Sequence, residues 1–210
     1  VPVGNEVEFA PSAELVDDDE NADTGTVIVD GARLKVRYNR SFTARLIQSD
    51  DTLKGYYSIL RNELLRYGLK SRVSWGNESM YRGKNTYAKF AVRGKTLSMY
   101  LALAPVDFAN TKYVFRDAGS VEKYRDVPMQ LKLRSDRAVR WALELIAAMA
   151  DKNKLTRKNA PEENFRPDYR NTTSLVREKY IKLYYVSTPD VSEQALKEAA
   201  AADLRELDRT

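Results

Sequence analysis

The sequence predicts an α+β fold: a curved antiparallel β-meander with two main helices packed on one face. Three observations carry this. Residues Arg72–Leu103 alternate polar and apolar side chains with a period of two, punctuated by Arg82-Gly83-Lys84-Asn85 and Arg93-Gly94. Thr52–Tyr67 and Asp136–Asp151 place apolar residues at helical spacing. Met129–Leu133 reads as a further strand, followed at once by the second helix.

In chain order, residues 1–25 are acidic and poor in aromatics, the composition of a disordered or loosely held segment. Asp17-Asp18-Asp19-Glu20 with Asp23 could draw a divalent cation, but the glycine and terminal glutamate of a calcium loop are missing, so a solvated acidic linker is expected. Thr26–Tyr38 holds two β-rich runs around Asp30-Gly31, a strong hairpin signal. The run after Ser41 fits a strand or a short helix, and a helical turn capped by Ser41 is the preferred reading. The helix over Thr52–Tyr67 can be capped by Ser49, Asp50 or Asp51 and stopped by Gly68, with Leu53, Tyr56, Tyr57, Leu60, Leu64 and Leu65 on one face.

In the meander, Ala88, Phe90 and Val92 should face the core, as should Leu97, Met99, Leu101 and Leu103, leaving Tyr87, Lys89 and Ala91 outward. Pro105–Phe108 starts a turn or short helix, and Thr111–Asp126 is less regular. Ser135 caps the second helix, whose Val139, Ala142, Leu143, Ile146 and Met149 make the apolar stripe. Trp141 either caps the core or marks a docking surface for residues 172–207. Beyond it, Lys152–Arg170, with Pro161 and Pro167, reads as a linker. Thr172–Lys179 looks helical, Ile181–Val186 a strand and Ser192–Leu207 a helix. The expected division is therefore an acidic segment 1–25, a main domain 26–155, a linker 156–171, and an appendage or further module over 172–210.

Several elements together resemble the small bacterial YdhG-like domains of unknown function. They are Tyr56–Tyr67, Arg72–Met80, Gly83-Lys84, Ala88-Lys89-Phe90, Lys95-Thr96-Leu97, Tyr100-Leu101, and the strand that leads into the Ser135 helix. More closely, RSFTARLIQSDD, SRVSWGNES and AKFAVRGKTLSMYLAL resemble an uncharacterised domain of Clostridia-type Firmicutes, over residues 38–152. The YdhG-like group usually shows Gly-Met-Pro where this chain has Trp75-Gly76-Asn77-Glu78-Ser79-Met80. The resemblance implies a compact α+β domain and supplies no catalytic residues. Some relatives are discussed as iron chaperones, which need an acidic oxygen-ligand surface. Residues 33–158 are strongly basic, so that role is not carried over.

Composition narrows the chemistry. The 210 residues include no Cys and no His, which removes disulfides, thiolate nucleophiles, cysteine zinc sites and the commonest general base. That fits a cytoplasmic protein without cofactor or metal. No apolar run approaches the ~18 residues of a membrane span, and the N-terminus lacks signal-peptide organisation. The chain starts at Val1 without Met, and is expected to be cut from a longer protein. Its net charge of +5 is unevenly spread. Residues 1–32 carry nine acids and no Lys or Arg, residues 33–158 carry 27 basic and 11 acidic residues, and residues 159–210 carry 8 and 10. A body this basic seeks an anionic partner, nucleic acid or an acidic protein, and the acidic N-terminal segment would compete for it.

The expected function is a non-enzymatic interaction domain. Arg72, Arg82, Lys84, Lys89, Arg93 and Lys95 are the polyanion-binding residues, interleaved with Trp75, Tyr81, Tyr87 and Tyr100 that could stack bases. The competing reading is a solvated sheet face with edge lysines that block aggregation. A second expectation is a small-ligand pocket near Trp75–Met80, lined by Trp75, Glu78, Ser79 and Tyr100. An enzyme would have to use Glu78 with a Lys or Tyr, and no carboxylate pair stands at useful spacing. Gly94-Lys95-Thr96 matches the end of a P-loop, but Lys89 stands where its first glycine belongs, and a tight turn is preferred.

Overall fold

The computed structural model describes residues 6–7, 14–16, 24–29 and 32–185. The chain divides into two compact units, Val1–Arg40 with Arg170–Thr210, and Ser41–Tyr169. The strands are β1 (Glu6–Val7), β2 (Glu14–Val16), β3 (Thr24–Val29), β4 (Ala32–Arg40), β5 (Lys70–Val73), β6 (Glu78–Arg82), β7 (Asn85–Arg93), β8 (Thr96–Leu101), β9 (Arg116–Asp117), β10 (Met129–Leu133) and β11 (Ile181–Tyr185). The helices are α1 (Phe42–Ile47), α2 (Asp51–Arg66), α3 (Asp136–Lys152) and α4 (Thr172–Arg177).

The first unit is an antiparallel sheet in the order β1-β11-β4-β3-β2. On β4, Val36, Tyr38 and Arg40 are buried while Lys35, Arg37 and Asn39 are exposed, the alternation of a half-buried strand. Gly25 lies under Tyr38, so closely that a Cβ there would overlap the phenol ring. Asn171 caps α4 by accepting from Ser174 N at 2.9 Å, and β11 then pairs with β4 from Ile181 opposite Arg40 to Tyr185 opposite Val36. Two expectations change here. The 26–40 hairpin belongs with β11 rather than with the main domain, because β4 hydrogen-bonds β11 along its second half. Within the segment expected to be loosely held, Glu6–Val7, Glu14–Val16 and Thr24-Gly25 are paired strand. The rest of that segment, the acidic run at 17–23, the Asp30-Gly31 turn and the helix expected over 192–207 lie outside the described residues.

The second unit is a six-stranded antiparallel sheet, β5-β6-β7-β8-β10-β9, with α1, α2 and α3 against one face. Ser41 caps α1 by accepting from Ala44 N at 3.1 Å, Asp50 caps α2 through Leu53 N at 2.7 Å, and Ser135 caps α3 through Ala138 N at 3.3 Å. Tyr67 and then Gly68, at φ 74°, end α2. The turns Gly83-Lys84 and Gly94-Lys95 each put glycine at positive φ (61° and 53°) in the first central position, the two-residue hairpin form that matches strand twist.

The core joins Leu60 and Leu64 of α2, Ala142, Leu145, Ile146 and Met149 of α3, and the inward row Phe90, Met99 and Leu131 of the sheet. Leu145 is fully buried and was absent from the expected stripe, whereas Leu143 is only partly buried. Tyr87, expected outward, is in the core. The ladder between β6 and β7 shifts by one between Met80 and Tyr81, and the extra residue turns Tyr87 to the same side as Ala88. Trp141 meets the Tyr113 ring edge-on at 6.3 Å and carries the Arg137 guanidinium over its face at 5.3 Å.

Residues 157–166, expected to be a linker, form a strap along α2 in the opposite direction. Lys158 N donates to Arg66 O at 2.8 Å. The Asn62 side chain bonds both backbone groups of Glu163, at 2.8 and 3.0 Å. Phe165 N donates to Ser58 Oγ at 3.2 Å, and Arg157 forks onto Glu63 at 2.7 and 2.9 Å. A chain without its own ladder thus satisfies its backbone on polar side chains of a helix. Those side chains face the strap, and the apolar face of α2 is left for the sheet.

Candidate functional site

Directly opposed residues of an antiparallel sheet share a face, so the registers sort the predicted site residues. The inward row runs Val73, Glu78, Phe90, Met99, Leu131. The next row, on the opposite face, runs Arg72, Ser79, Lys89, Tyr100, Gln130, Arg116. Beyond it lie Ala91, Ser98 and Lys132, and then Arg93 and Thr96, with Arg134 Nε donating to Thr96 Oγ1 at 3.4 Å.

The expected pocket is not assembled. Glu78 and Ser79 are neighbours in one strand and point to opposite faces. Ser79 and Tyr100 share a face but stand two strands apart, with Lys89 between them. Trp75 sits in the β5–β6 loop, where its carbonyl accepts from Phe42 N at 2.6 Å.

Glu78 is fully buried, in a position that strand alternation gives to an apolar residue. Its carboxylate accepts from Tyr57 Oη at 2.6 Å, from Arg61 Nε at 2.9 Å and from Ser71 Oγ. Tyr57 and Arg61 are one turn apart on α2, so a single helix face delivers both donors. Burial, and after it the carboxylate, push the Tyr57 phenol well above its ordinary range. Arg61 also stacks on Phe165 of the strap at 3.9 Å. All of the donors around Glu78 come from the protein itself, and the arrangement ties α2, β5 and β6 together. Sequence reading missed it because Tyr57, Arg61, Ser71 and Glu78 meet only through tertiary contact.

The outer face is partly covered. Residues 118–127 lie across it, packing Ala118, Tyr124 and Val127 on Ala91 and Tyr100. Tyr100 stacks on Tyr124 with ring centres 3.7 Å apart and planes 6° from parallel, and is 3% exposed. Burial and the Tyr124 hydroxyl push the Tyr100 phenol up, opposed by the Arg93 and Arg116 guanidiniums nearby. Gln130 Nε2 donates to the Tyr100 hydroxyl at 3.1 Å. Lys89, half-buried, donates to the Lys123 carbonyl at 2.5 Å and so helps hold the cover down.

The six predicted cations are therefore not one cluster. Arg72 lies on the outer face beyond the cover, and Lys89 is engaged beneath it. Arg82 and Lys84 belong to one hairpin end, Arg93 and Lys95 to the other, about 27 Å away at ~3.4 Å per residue along β7. Arg93, Lys95, Lys132 and Arg134 are exposed toward the second end, and Arg116, also exposed, stands two rows back beside Gln130. None of the five has an ion-pair partner among the described residues. On the cover, Glu122 and Asp126 are matched by Lys123 and Arg125 within the same stretch. Arg116, Lys132 and Arg134 were not picked out from sequence, although the alternation of Leu131-Lys132-Leu133-Arg134 pointed two of them outward.

Among the described residues no group of three or more acidic side chains is placed to hold a metal ion, and no helix is long and apolar enough to cross a membrane. The two antiparallel sheets and their helices define an α+β domain. Comparison with family models, curated proteins and solved structures finds no match to the chain.

Proposed function

We propose that residues 41–169 form a non-enzymatic binding domain that takes nucleic acid on the outer face of the six-stranded sheet. It would act chiefly through phosphates, with little choice of sequence. The observation that carries this is the set Arg93, Lys95, Arg116, Lys132 and Arg134, five exposed cations without acidic partners among the described residues. Charges left unpaired on one surface raise the local anion concentration and release counterions on binding. The absence of cysteine suits a reducing compartment, and we place the activity in the cytoplasm. We take the YdhG-like resemblance as the family setting of the same proposal.

An anisotropy titration of the full chain with labelled DNA and RNA at rising salt tests it. The proposal expects log affinity to fall linearly with log salt, with a slope of up to about −4.5 if all five cations meet phosphates of a duplex. An affinity that does not change with salt overturns it. So does salt-dependent binding to an acidic polypeptide without binding to either nucleic acid, which would make the partner an acidic protein.

A further inference from the structure

Resting on that reading, we infer that the face takes the phosphate backbone of a double helix and does not take the bases of a single strand. Proteins that hold single strands combine cations with aromatic rings on which successive bases stack. This meander carries the aromatic residues for such a platform, and the structure occupies most of them internally. Tyr100, at the centre of the outer face, has its ring against Tyr124 at 3.7 Å and is 3% exposed. Tyr124 is buried in turn, with the Lys123 ammonium 4.8 Å from its ring centre. Tyr87 is in the core, and Tyr81 has the Arg72 guanidinium over its ring at 5.9 Å. Trp75, 36% exposed, lies in the β5–β6 loop beside the edge strand β5, whereas the cations lie between β7 and β9.

What remains open to a partner is therefore the cations, whose ammonium and guanidinium groups donate to phosphate oxygens. Such a surface reads backbone geometry and charge density, and a duplex offers one charge per ~1.7 Å of axis from its two strands together.

The experiment compares three labelled probes of equal length against the full chain at fixed salt: a mixed-sequence DNA duplex, one of its strands alone, and an abasic strand. Wild type and the Trp75→Ala variant are measured in parallel. The inference expects the duplex to bind several-fold more tightly than the strand. It also expects the abasic strand to match the base-bearing one within about twofold, and Trp75→Ala to leave all three unchanged. A base-bearing strand that binds more tightly than both the duplex and the abasic strand, by about tenfold per stacked base, overturns the inference while leaving nucleic-acid binding in place. Failure of all three probes to bind overturns the functional reading itself, and the inference with it.

Discussion

Replacing Glu78 by Gln tests the buried network most sharply. The substitution keeps the side chain's shape and removes its charge. Glu78 is fully buried, whereas the Arg61 side chain is 20% exposed and can reach water after losing its partner. Breaking a buried pair costs about 3–5 kcal/mol when the remaining charge is trapped, and the exposure of Arg61 places this case at or below the lower figure. The new amide also points a donor at one of the three groups that now donate to the carboxylate, Tyr57, Arg61 or Ser71. An unmatched buried donor adds about 1–3 kcal/mol. The two effects overlap, so a total near 3 kcal/mol is expected, a fall of about 10 °C in Tm for a domain of this size. Tyr57→Phe alone should cost about 1.5–3 kcal/mol, because its hydroxyl donates to an ionised acceptor. In the Glu78→Gln background the same change should cost about half as much. Urea unfolding of the four proteins of this cycle measures the coupling directly. A Glu78→Gln protein within about 0.5 kcal/mol of wild type would show that the charge of this carboxylate does not hold the network together.

Other consequences are open to test. The hydrogen bonds of Arg157, aided by Arg66 and opposed by partial burial, hold the Glu63 carboxyl below its ordinary value. This contribution is fully present above the unfolded value of about 4.3 and is lost as pH falls through the lower folded value. Protection from hydrogen exchange at Lys158 and Phe165, taken relative to the intrinsic rate at each pH, should therefore fall below that window, and Glu63→Gln should abolish that fall. Gly25→Ala should destabilise the first unit by about 1–3 kcal/mol, because the added Cβ would stand 2.0 Å from the Tyr38 hydroxyl oxygen; unchanged urea unfolding would contradict that packing. Gly94→Ala should cost about 1 kcal/mol through backbone conformation alone, since φ is 53° and nothing lies within 4 Å of the added atom; a larger loss would show a contact the turn does not have.

Local chemistry made much of the second unit legible. The caps Ser41, Asp50 and Ser135, the stop at Gly68, the two glycine turns and the alternation of Leu97, Met99 and Leu101 each act within a few residues. The parts that were not legible depend on which distant elements meet. Strand β10 joins β8 and brings Lys132 and Arg134 onto the face that carries Arg93, two strands away, a pairing that no local pattern announces. The one-residue slip at Met80/Tyr81 reverses the side of Tyr87, and period-two counting cannot anticipate it. Residues 156–171 read as a linker because the backbone partners of Glu163 and Phe165 are the side chains of Asn62 and Ser58, about a hundred positions away in sequence. Glu78 read as a pocket residue because its donors lie on a helix and a strand that meet only in the folded unit.

On the proposed reading, cations between β7 and β9 hold phosphates, and the salt slope of duplex binding reports how many of them do. Alanine at Arg93, Lys132 and Arg134 together should reduce the slope by about 2.7, at roughly 0.9 per lost phosphate contact. Alanine at Arg82 and Lys84, on the other hairpin end, should leave it within about 0.5 of wild type. Equal slopes for wild type and the triple variant, or a larger loss from the Arg82 and Lys84 pair, would contradict the account.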